Sequence, residues 1–169
     1  MKRILNHSPD WPLQYKAEAK SLTSLLGATC VEIHHMGSTA IASIPTKPII
    51  DMLMEVSTLK ELDLISTQLI ENDYEARGEY GITGRRYFKK MATSESILIN
   101  LHCYETGSFE IKRHLAFRDY LNVMPHIAQE YARIKLNLSD DKGVLHPHYQ
   151  NVKKPFVDGV ALEALKYFE

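Results

Sequence analysis

One nine-residue run, Pro48–Val56 (PIIDMLMEV), limits the fold of this chain more than any other feature of the sequence. Successive side chains of a strand point to opposite faces, so a strand with apolar residues at both parities is covered on both faces. The run therefore predicts a central strand of a sheet with layers packed on both sides. Asp51 interrupts the run, and a carboxylate there is costly to bury unless it is paired or bound to a metal.

Helical and strand patterns surround this run. A helix is predicted from Asp10 to Leu26, ended by Gly27, and the capping box 58–61 predicts a second helix that reaches about Asn72. Further strands are predicted at 29–34, 74–77, 86–91 and 96–104. Helices are predicted after Gly107, at 113–122, from Pro125 and from about Val152. This order indicates an α/β or α+β fold in a single domain over 1–169, with a sheet core at about 11–106 and C-terminal helices at about 107–169.

Composition excludes several classes of protein. The 20 Lys and Arg residues are balanced by 21 Asp and Glu residues, and the net charge of −1 argues against a dedicated binder of nucleic acid or of anionic membranes. No run reaches the roughly 18 apolar residues that a bilayer span requires. Two cysteines, Cys30 and Cys103, are too few for a disulfide framework, so we expect a cytoplasmic protein.

The loop before the central strand carries the first candidate site. Gly37 and Ser38 follow a predicted strand, and a Gly-Ser step lets backbone N–H groups approach a phosphate closely while Ser38 adds a hydroxyl donor. Together with Asp51, this loop has the parts of a metal-assisted phosphate site. The alternative is an ordinary Gly-Ser turn and an aspartate near a strand end.

Basic residues in and after the strands could meet an anion at this loop. Pro48 holds Lys47 in an extended conformation, from which its amine could reach a phosphate opposite Ser38. Of the adjacent pair Arg85 and Arg86, one side chain faces away from the other, and Arg86 is the better candidate for a bidentate phosphate donor. Solvent-exposed side chains are the alternative.

Later basic residues fall on predicted helices. His114 and Arg118 are i, i+4 neighbours and can address one ligand, although Arg118 could instead pair with Asp119. Lys153 suits the same role, but its place at a helix start would also leave it in solvent. We expect the C-terminal helices to close over the sheet and bring His114, Arg118 and Lys153 towards the Gly37-Ser38 loop.

These residues belong to a longer series of motifs. The series comprises His35–Ala40, Lys47–Asp51, Gly84–Lys90, Asn100–His102, Arg113–Leu121, and Tyr149 with Lys153, Pro155 and Phe156. It resembles the pattern of the GrpB family from about Trp11 to Phe168. The resemblance implies a nucleotidyltransferase-like fold, with a mixed β-sheet flanked by helices and a helical C-terminal portion. The family also occurs fused behind dephospho-CoA kinase in some bacteria.

The resemblance also implies a site. Enzymes of this superfamily bind a nucleoside triphosphate at a Gly-Ser loop and hold two metal ions with an Asp-x-Asp pair and a third carboxylate. Here Asp51 is present, but Leu53 stands at the second position of the pair and His102 stands where a third acid is expected. The nearest acid on the same face, Glu55, is roughly 13 Å away along an extended strand. The implied two-metal site is therefore incomplete.

Two interpretations of the site follow. In the first, Asp51 and His102, with His35 as a third ligand, hold one divalent ion (Mg²⁺, Mn²⁺ or Zn²⁺), since imidazole with carboxylate suits a transition metal. His34 and His35 point to opposite faces, so at most one of them belongs to the site. In the second, the metal site is lost and the pocket binds only an anion. The residues predicted as catalytic are Asp51 and Ser38, and those predicted to bind ligand are Gly37, Ser38, Thr39, Lys47, Arg86, Arg113, His114, Arg118 and Lys153.

Two classes of function remain open. The first is a nucleotidyltransferase-like protein that binds a nucleotide or a phosphorylated small molecule and transfers a nucleotidyl group. The second is a non-catalytic module that binds a phosphate ligand or a protein partner, accessory to coenzyme A metabolism as the family's fusion partner suggests.

Overall fold

The computed structural model describes residues 3–94, 96–140 and 147–169, and in them five strands and five α-helices. The strands are β1 (Cys30–Met36), β2 (Ile49–Val56), β3 (Tyr74–Ala76), β4 (Arg86–Lys90) and β5 (Leu98–Glu105). The helices are α1 (Asp10–Leu26), α2 (Leu59–Glu71), α3 (Phe109–Val123), α4 (Pro125–Asn137) and α5 (Tyr149–Tyr167).

The strands form one mixed sheet in the order β1-β2-β5-β4-β3. β2 lies between β1, to which it is antiparallel, and β5, to which it is parallel. β4 pairs antiparallel with both β5 and β3. The predicted internal position of the apolar strand is confirmed, and so is the α/β class with a mixed sheet flanked by helices.

The two faces of β2 meet different layers, as its two-sided apolar pattern predicts. Met52 and Met54 pack with α1 and α2 in the larger core, where Leu22 and Leu62 are almost fully buried. Leu53 faces the other way and packs with Tyr104 and with Ile111 of α3. The C-terminal helices form two further clusters, and one of these includes Ile41 and Ile44 of the segment before β2.

Local signals account for where the helices begin. The Thr58 hydroxyl accepts a hydrogen bond from the Glu61 amide at 3.1 Å, as the capping box predicts. α3 begins at Phe109 rather than 113, because Ser108 caps it by accepting from the Glu110 amide. No helix in the described part of the chain combines the length and apolar character that spanning a bilayer requires.

A β-bulge in β1 decides which face each of its side chains occupies. Cys30 pairs with Val56 but Glu32 pairs with Glu55, so β1 carries one extra residue between these two pairs. The bulge shifts every later residue of β1 by one position relative to β2. As a result Met36 lies opposite Asp51.

Candidate functional site

A cavity of about 330 Å³ lies beside Asp51, on the face of the sheet that α3, α4 and α5 cover. A second cavity of about 180 Å³ shares Asp51, His102 and Lys153 with it. The first cavity is polar, and its lining residues are Ile4, Ser38, Thr46, Lys47, Ile49, Asp51, Asn100, His102, Lys135, Tyr149, Gln150 and Lys153.

Gly37 brings the backbone of the loop after β1 against Asp51. Its φ is +71°, and a Cβ built on it would lie 2.6 Å from Oδ2 of Asp51. Ser38 follows at the start of a short 3₁₀ turn and lines the larger cavity, whereas Gly37 lines the smaller one. The sequence therefore needs glycine here for two reasons, the backbone conformation and the space.

Asp51 is held by neighbours on β5. The Asn100 amide donates to Oδ1 of Asp51 at 2.9 Å, and the Tyr87 hydroxyl donates to the Asn100 carbonyl oxygen at 2.8 Å. His102 Nε2 lies 3.7 Å from the same Oδ1. Burial raises the pKa of Asp51, but the neighbouring His102 ring, the Asn100 amide and the Lys153 charge outweigh burial, so this pKa lies below its usual value. Asp51 is therefore a carboxylate at neutral pH.

Arg85 sets the orientation of His102. Its side chain is 6% exposed and donates from Nη1 to His102 Nδ1 at 3.2 Å and from Nη2 to the Tyr80 carbonyl at 2.8 Å. Because a guanidinium can only donate, Nδ1 must accept, and the ring proton of the neutral imidazole sits on Nε2. This proton faces Asp51.

Three lysines converge on the larger cavity. Lys135 is 3% exposed, donates to the Thr46 hydroxyl at 3.1 Å and lies 4.6 Å from the ring centre of Tyr131. Burial, together with the Lys153 charge, lowers the pKa of Lys135 to about 7. Burial and Lys153 likewise lower the pKa of Lys47. Within the described part of the chain, no carboxylate oxygen lies within 4.0 Å of these three amines.

The smaller cavity contains two more of the predicted residues. Arg113 donates to Asp158 at 2.7 Å and so ties α3 to α5. The His114 ring centre lies 6.5 Å from that of His102. Burial lowers the pKa of His114 to about 4, helped by the positive charge of Arg113, so His114 is neutral at pH 7. As predicted, the C-terminal helices bring His114 and Lys153 to the loop, since both residues line this cavity together with Gly37.

Two predicted arginines lie elsewhere. Arg86 pairs in register with Cys103, on the face that packs against α1 and α2, and its guanidinium binds both oxygens of Asp63 at 2.8 Å. Arg85, not Arg86, reaches the cavity side. Arg118 donates to the His35 carbonyl at 2.9 Å and pairs with Asp119, so it ties α3 to the end of β1 instead of facing Asp51.

His35 and Thr39 also lie away from Asp51. The bulge pairs His35 with Met52, whose face is the α1 side of the sheet, and His35 Nε2 bonds the Thr39 hydroxyl at 2.9 Å. The His35 ring stacks on Tyr15 at 4.8 Å. The predicted metal set of Asp51, His102 and His35 is therefore not assembled. Among the described residues, one other trio brings metal-ligating atoms together, namely Glu32, His34 and Glu55.

Sequence reasoning did not single out Lys135, Asn100 or Arg85 as site residues. The sequence does mark Lys135 as unusual, because it lies four residues after Tyr131 on the buried face of α4, where a lysine is unexpected. Asn100 had a weaker signal as a polar residue in an apolar strand. Nothing local distinguishes Arg85 from Arg86.

The donor set at Asp51 does not fit a two-metal clamp, since Asn100 and His102 surround the single carboxylate. A single Mg²⁺ demands less of the protein, since proteins bind that ion through one or two carboxylates together with substrate phosphates, and Asp51 supplies one carboxylate.

Comparison with known proteins places the chain. A family model described as GrpB protein matches residues 2–162. The glutamate-rich protein GrpB of Alkalihalophilus pseudofirmus is 33% identical over 163 residues, which cover 95% of this chain and 94% of that protein. The UPF0157 protein YqkA of Bacillus subtilis is 40% identical over 136 residues, or 80% of this chain, but these span only 39% of YqkA.

Solved structures agree on the fold. The crystal structure of GrpB from Enterococcus faecalis has a TM-score of 0.84 and 35% identity, covering 98% of this chain and 99% of that chain. The Cid1 poly(U) polymerase has a TM-score of 0.51 at 14% identity, covering 88% of this chain and 49% of that chain, which shows a nucleotidyltransferase-like fold. By its sequence and its structure, the chain belongs to the GrpB family.

Proposed function

We propose that this protein binds a nucleotide or another phosphorylated small molecule in the larger cavity, with the phosphates against Lys47, Lys135 and Lys153. The convergence of these lysines supports the proposal. Three amines that share a half-enclosed space repel one another, and no described carboxylate lies within 4.0 Å to compensate them. A polyphosphate supplies the missing negative charge through charge-assisted hydrogen bonds.

The loop and Asp51 complete the site. Ser38 lines the cavity, and Gly37 keeps the backbone close enough to Asp51 for both to meet one ligand. Asp51 would hold a single Mg²⁺ shared with the phosphates, and that ion would neutralise phosphate charge. His102, oriented by Arg85, would keep Asp51 ionised and in place.

Nucleotidyl transfer is the second candidate, and the fold likeness to Cid1 is the observation that favours it. A two-metal clamp stabilises both the attacking and the leaving oxygen, which takes more carboxylates than Asp51 alone supplies. We therefore rank binding without transfer first. A role beside coenzyme A metabolism remains a proposal that the same ligand screen tests.

The test is a thermal-shift and calorimetry screen of nucleoside triphosphates and phosphorylated coenzyme A precursors, with and without Mg²⁺, Mn²⁺ and Zn²⁺. A ligand at about 100 times its Kd stabilises the fold by roughly 2.7 kcal/mol, which shifts Tm visibly. Lys135→Met should weaken the binding of any ligand that shifts Tm at least about tenfold, since a charge-assisted hydrogen bond contributes about 1.5–3 kcal/mol. Lys60→Met, an exposed lysine on α2, is the matched control.

Two results would decide against these proposals. Phosphate binding is contradicted if no phosphorylated compound shifts Tm, or if Lys135→Met binds as well as the wild type. Transfer is tested separately by pyrophosphate release from the bound triphosphate. Release that disappears in Asp51→Asn, with the nucleotidyl group recovered on an acceptor and not as free monophosphate, would establish transfer, whereas binding without release would exclude it for that ligand.

A further inference from the structure

A second group of ligating side chains lies on the β1–β2 pair, away from the cavity. His34 Nε2 is 2.7 Å from a Glu55 oxygen and 3.8 Å from a Glu32 oxygen. One ligating atom from each of the three residues lies within 4.8 Å of the others. This trio includes both donor types, an imidazole nitrogen and carboxylate oxygens.

The bulge in β1 creates this arrangement. Without the extra residue, Glu32 would pair with Met54 and point to the α1 side of the sheet. With the bulge it pairs with Glu55, and His34, two residues on, shares the same face. Bulges of this kind re-aim side chains at sheet edges, and β1 is one of the two edge strands.

The trio is separate from the Asp51 site. Glu55 lies four residues after Asp51 on β2, roughly 13 Å along the strand. Leu53 stands between them and is fully buried together with Tyr104. An ion at one position therefore cannot share ligands with the other.

We propose that Glu32, His34 and Glu55 form a site for one divalent transition metal ion, with zinc as the best fit. Three donors about 2.1 Å from a tetrahedral ion lie roughly 3.4 Å apart. Small rotamer changes lengthen the 2.7 Å separation and shorten the 3.8 Å one to that value. One imidazole with two carboxylates suits Zn²⁺, Co²⁺ or Ni²⁺ better than Mg²⁺ or Ca²⁺, which prefer oxygen alone.

The exposure of the three side chains suits the binding of an ion from solvent. The His34 and Glu55 side chains are 15% and 14% exposed, so the strands hold them in place, whereas Glu32 is 64% exposed and leaves an entry path and a fourth position for water. The ion would join the edge strand β1 to β2. This site does not depend on the function proposed for the cavity.

Zinc calorimetry and the visible spectrum of the cobalt-loaded full chain test the proposal. The wild type should bind one equivalent of Co²⁺ with the strong d–d absorption of a tetrahedral site. His34→Gln and Glu55→Gln should lose both that absorption and the corresponding zinc equivalent. His126→Gln, the same change at an exposed histidine on α4, should retain them.

The alternative is an ion pair between protonated His34 and the two carboxylates. In that case His34→Gln would have the same cobalt spectrum and zinc affinity as the wild type, and the proposal would be wrong. Circular dichroism of the metal-free variants checks that they fold. If the His34 or Glu55 variants do not fold, Glu32→Gln, a change at an exposed residue, decides the question. Loss of a direct ligand should weaken zinc binding at least about tenfold. Unchanged zinc binding in Glu32→Gln would contradict the proposal.

Discussion

The α-carbon of Gly37 and the carboxylate of Asp51 are so close that a single methyl group cannot fit between them. A Cβ at residue 37 would lie 2.6 Å from Oδ2 and 2.9 Å from the Cβ of Asp51. The loop after β1 therefore lies directly against Asp51, the one carboxylate among the described residues that line the cavity. Any ligand bound to Asp51 also meets the backbone of this loop.

Gly37→Ala should both destabilise the protein and displace Asp51. The backbone of Gly37, with φ +71° and ψ −169°, lies in a region that essentially only glycine adopts. This conformation costs an alanine about 1–3 kcal/mol, and relieving the clash adds to that cost. We expect a loss of 2 kcal/mol or more, on the order of the larger single-mutant effects, in the free energy of unfolding from urea titration.

Gly107→Ala is the matched control, because Gly107 has a φ of +85° and nothing within 4 Å of an added Cβ. It should cost only the backbone term. Equal losses in the two variants would show that the contact with Asp51 does not matter.

Lys135 should make stability depend on pH in the alkaline range. Its pKa in the folded protein is lowered to about 7 from 10.5, mainly by burial, so between pH 7 and 10 the unfolded chain binds one more proton than the folded one. The free energy of unfolding then rises with pH, by up to about 1.4 kcal/mol per unit. Urea titrations at pH 7, 8 and 9 should show this rise in the wild type and in Lys60→Met, and a reduced rise in Lys135→Met. An identical slope in all three would mean that Lys135 is not responsible.

The same lysine should make phosphate binding weaken as pH rises. Protonated Lys135 is the form that holds an anion, and the free protein loses that proton above about pH 7. Affinity for the phosphate ligand should therefore fall by up to about tenfold per pH unit between pH 7.5 and 9, where phosphate itself is already ionised. Calorimetry over that range measures the slope. Lys135→Met should bind weakly with a smaller slope, and a flat wild-type profile would contradict the prediction.

Arg85 and Arg86 should differ sharply despite being neighbours. Arg85→Met leaves partly buried acceptors at His102 and Tyr80 without a donor, which costs about 1–3 kcal/mol in all. Arg86→Met breaks a half-exposed pair with Asp63 and should cost at most about 1 kcal/mol. Nitrogen NMR should show the His102 proton on Nε2 in the wild type and in Arg86→Met but not in Arg85→Met. Ligand affinity should fall only in Arg85→Met, and equal effects of both changes would refute the orienting role.

Much of the fold was predictable because its signals are local. The apolar run of β2, the capping box before α2 and Pro125 at the start of α4 each act on the backbone within a few residues. The Gly37-Ser38 loop and Asp51 were predictable for the same reason, since a Gly-Ser step and a lone acid in an apolar strand stand out in the sequence. The structure brings them into contact.

Pairing register and helix rotation were not predictable in this way. The bulge in β1 turned His35 away from Asp51 and joined His34 to Glu55, and no local pattern marks an extra residue in a strand. The alternation of side chains along β4 places Arg86 on the α1 side of the sheet. Arg85 therefore faces the other way and contacts His102. Lys135 lines the cavity only because the buried face of α4 is turned towards Thr46.

The sequence by itself determined the central strand, the helices around it, the family and the loop that meets Asp51, because each depends on residues close together along the chain. Only the tertiary structure decided which charged side chains surround that carboxylate. A one-residue shift in pairing moves every side chain of a strand to the other face, and that shift is set by packing between segments far apart in sequence.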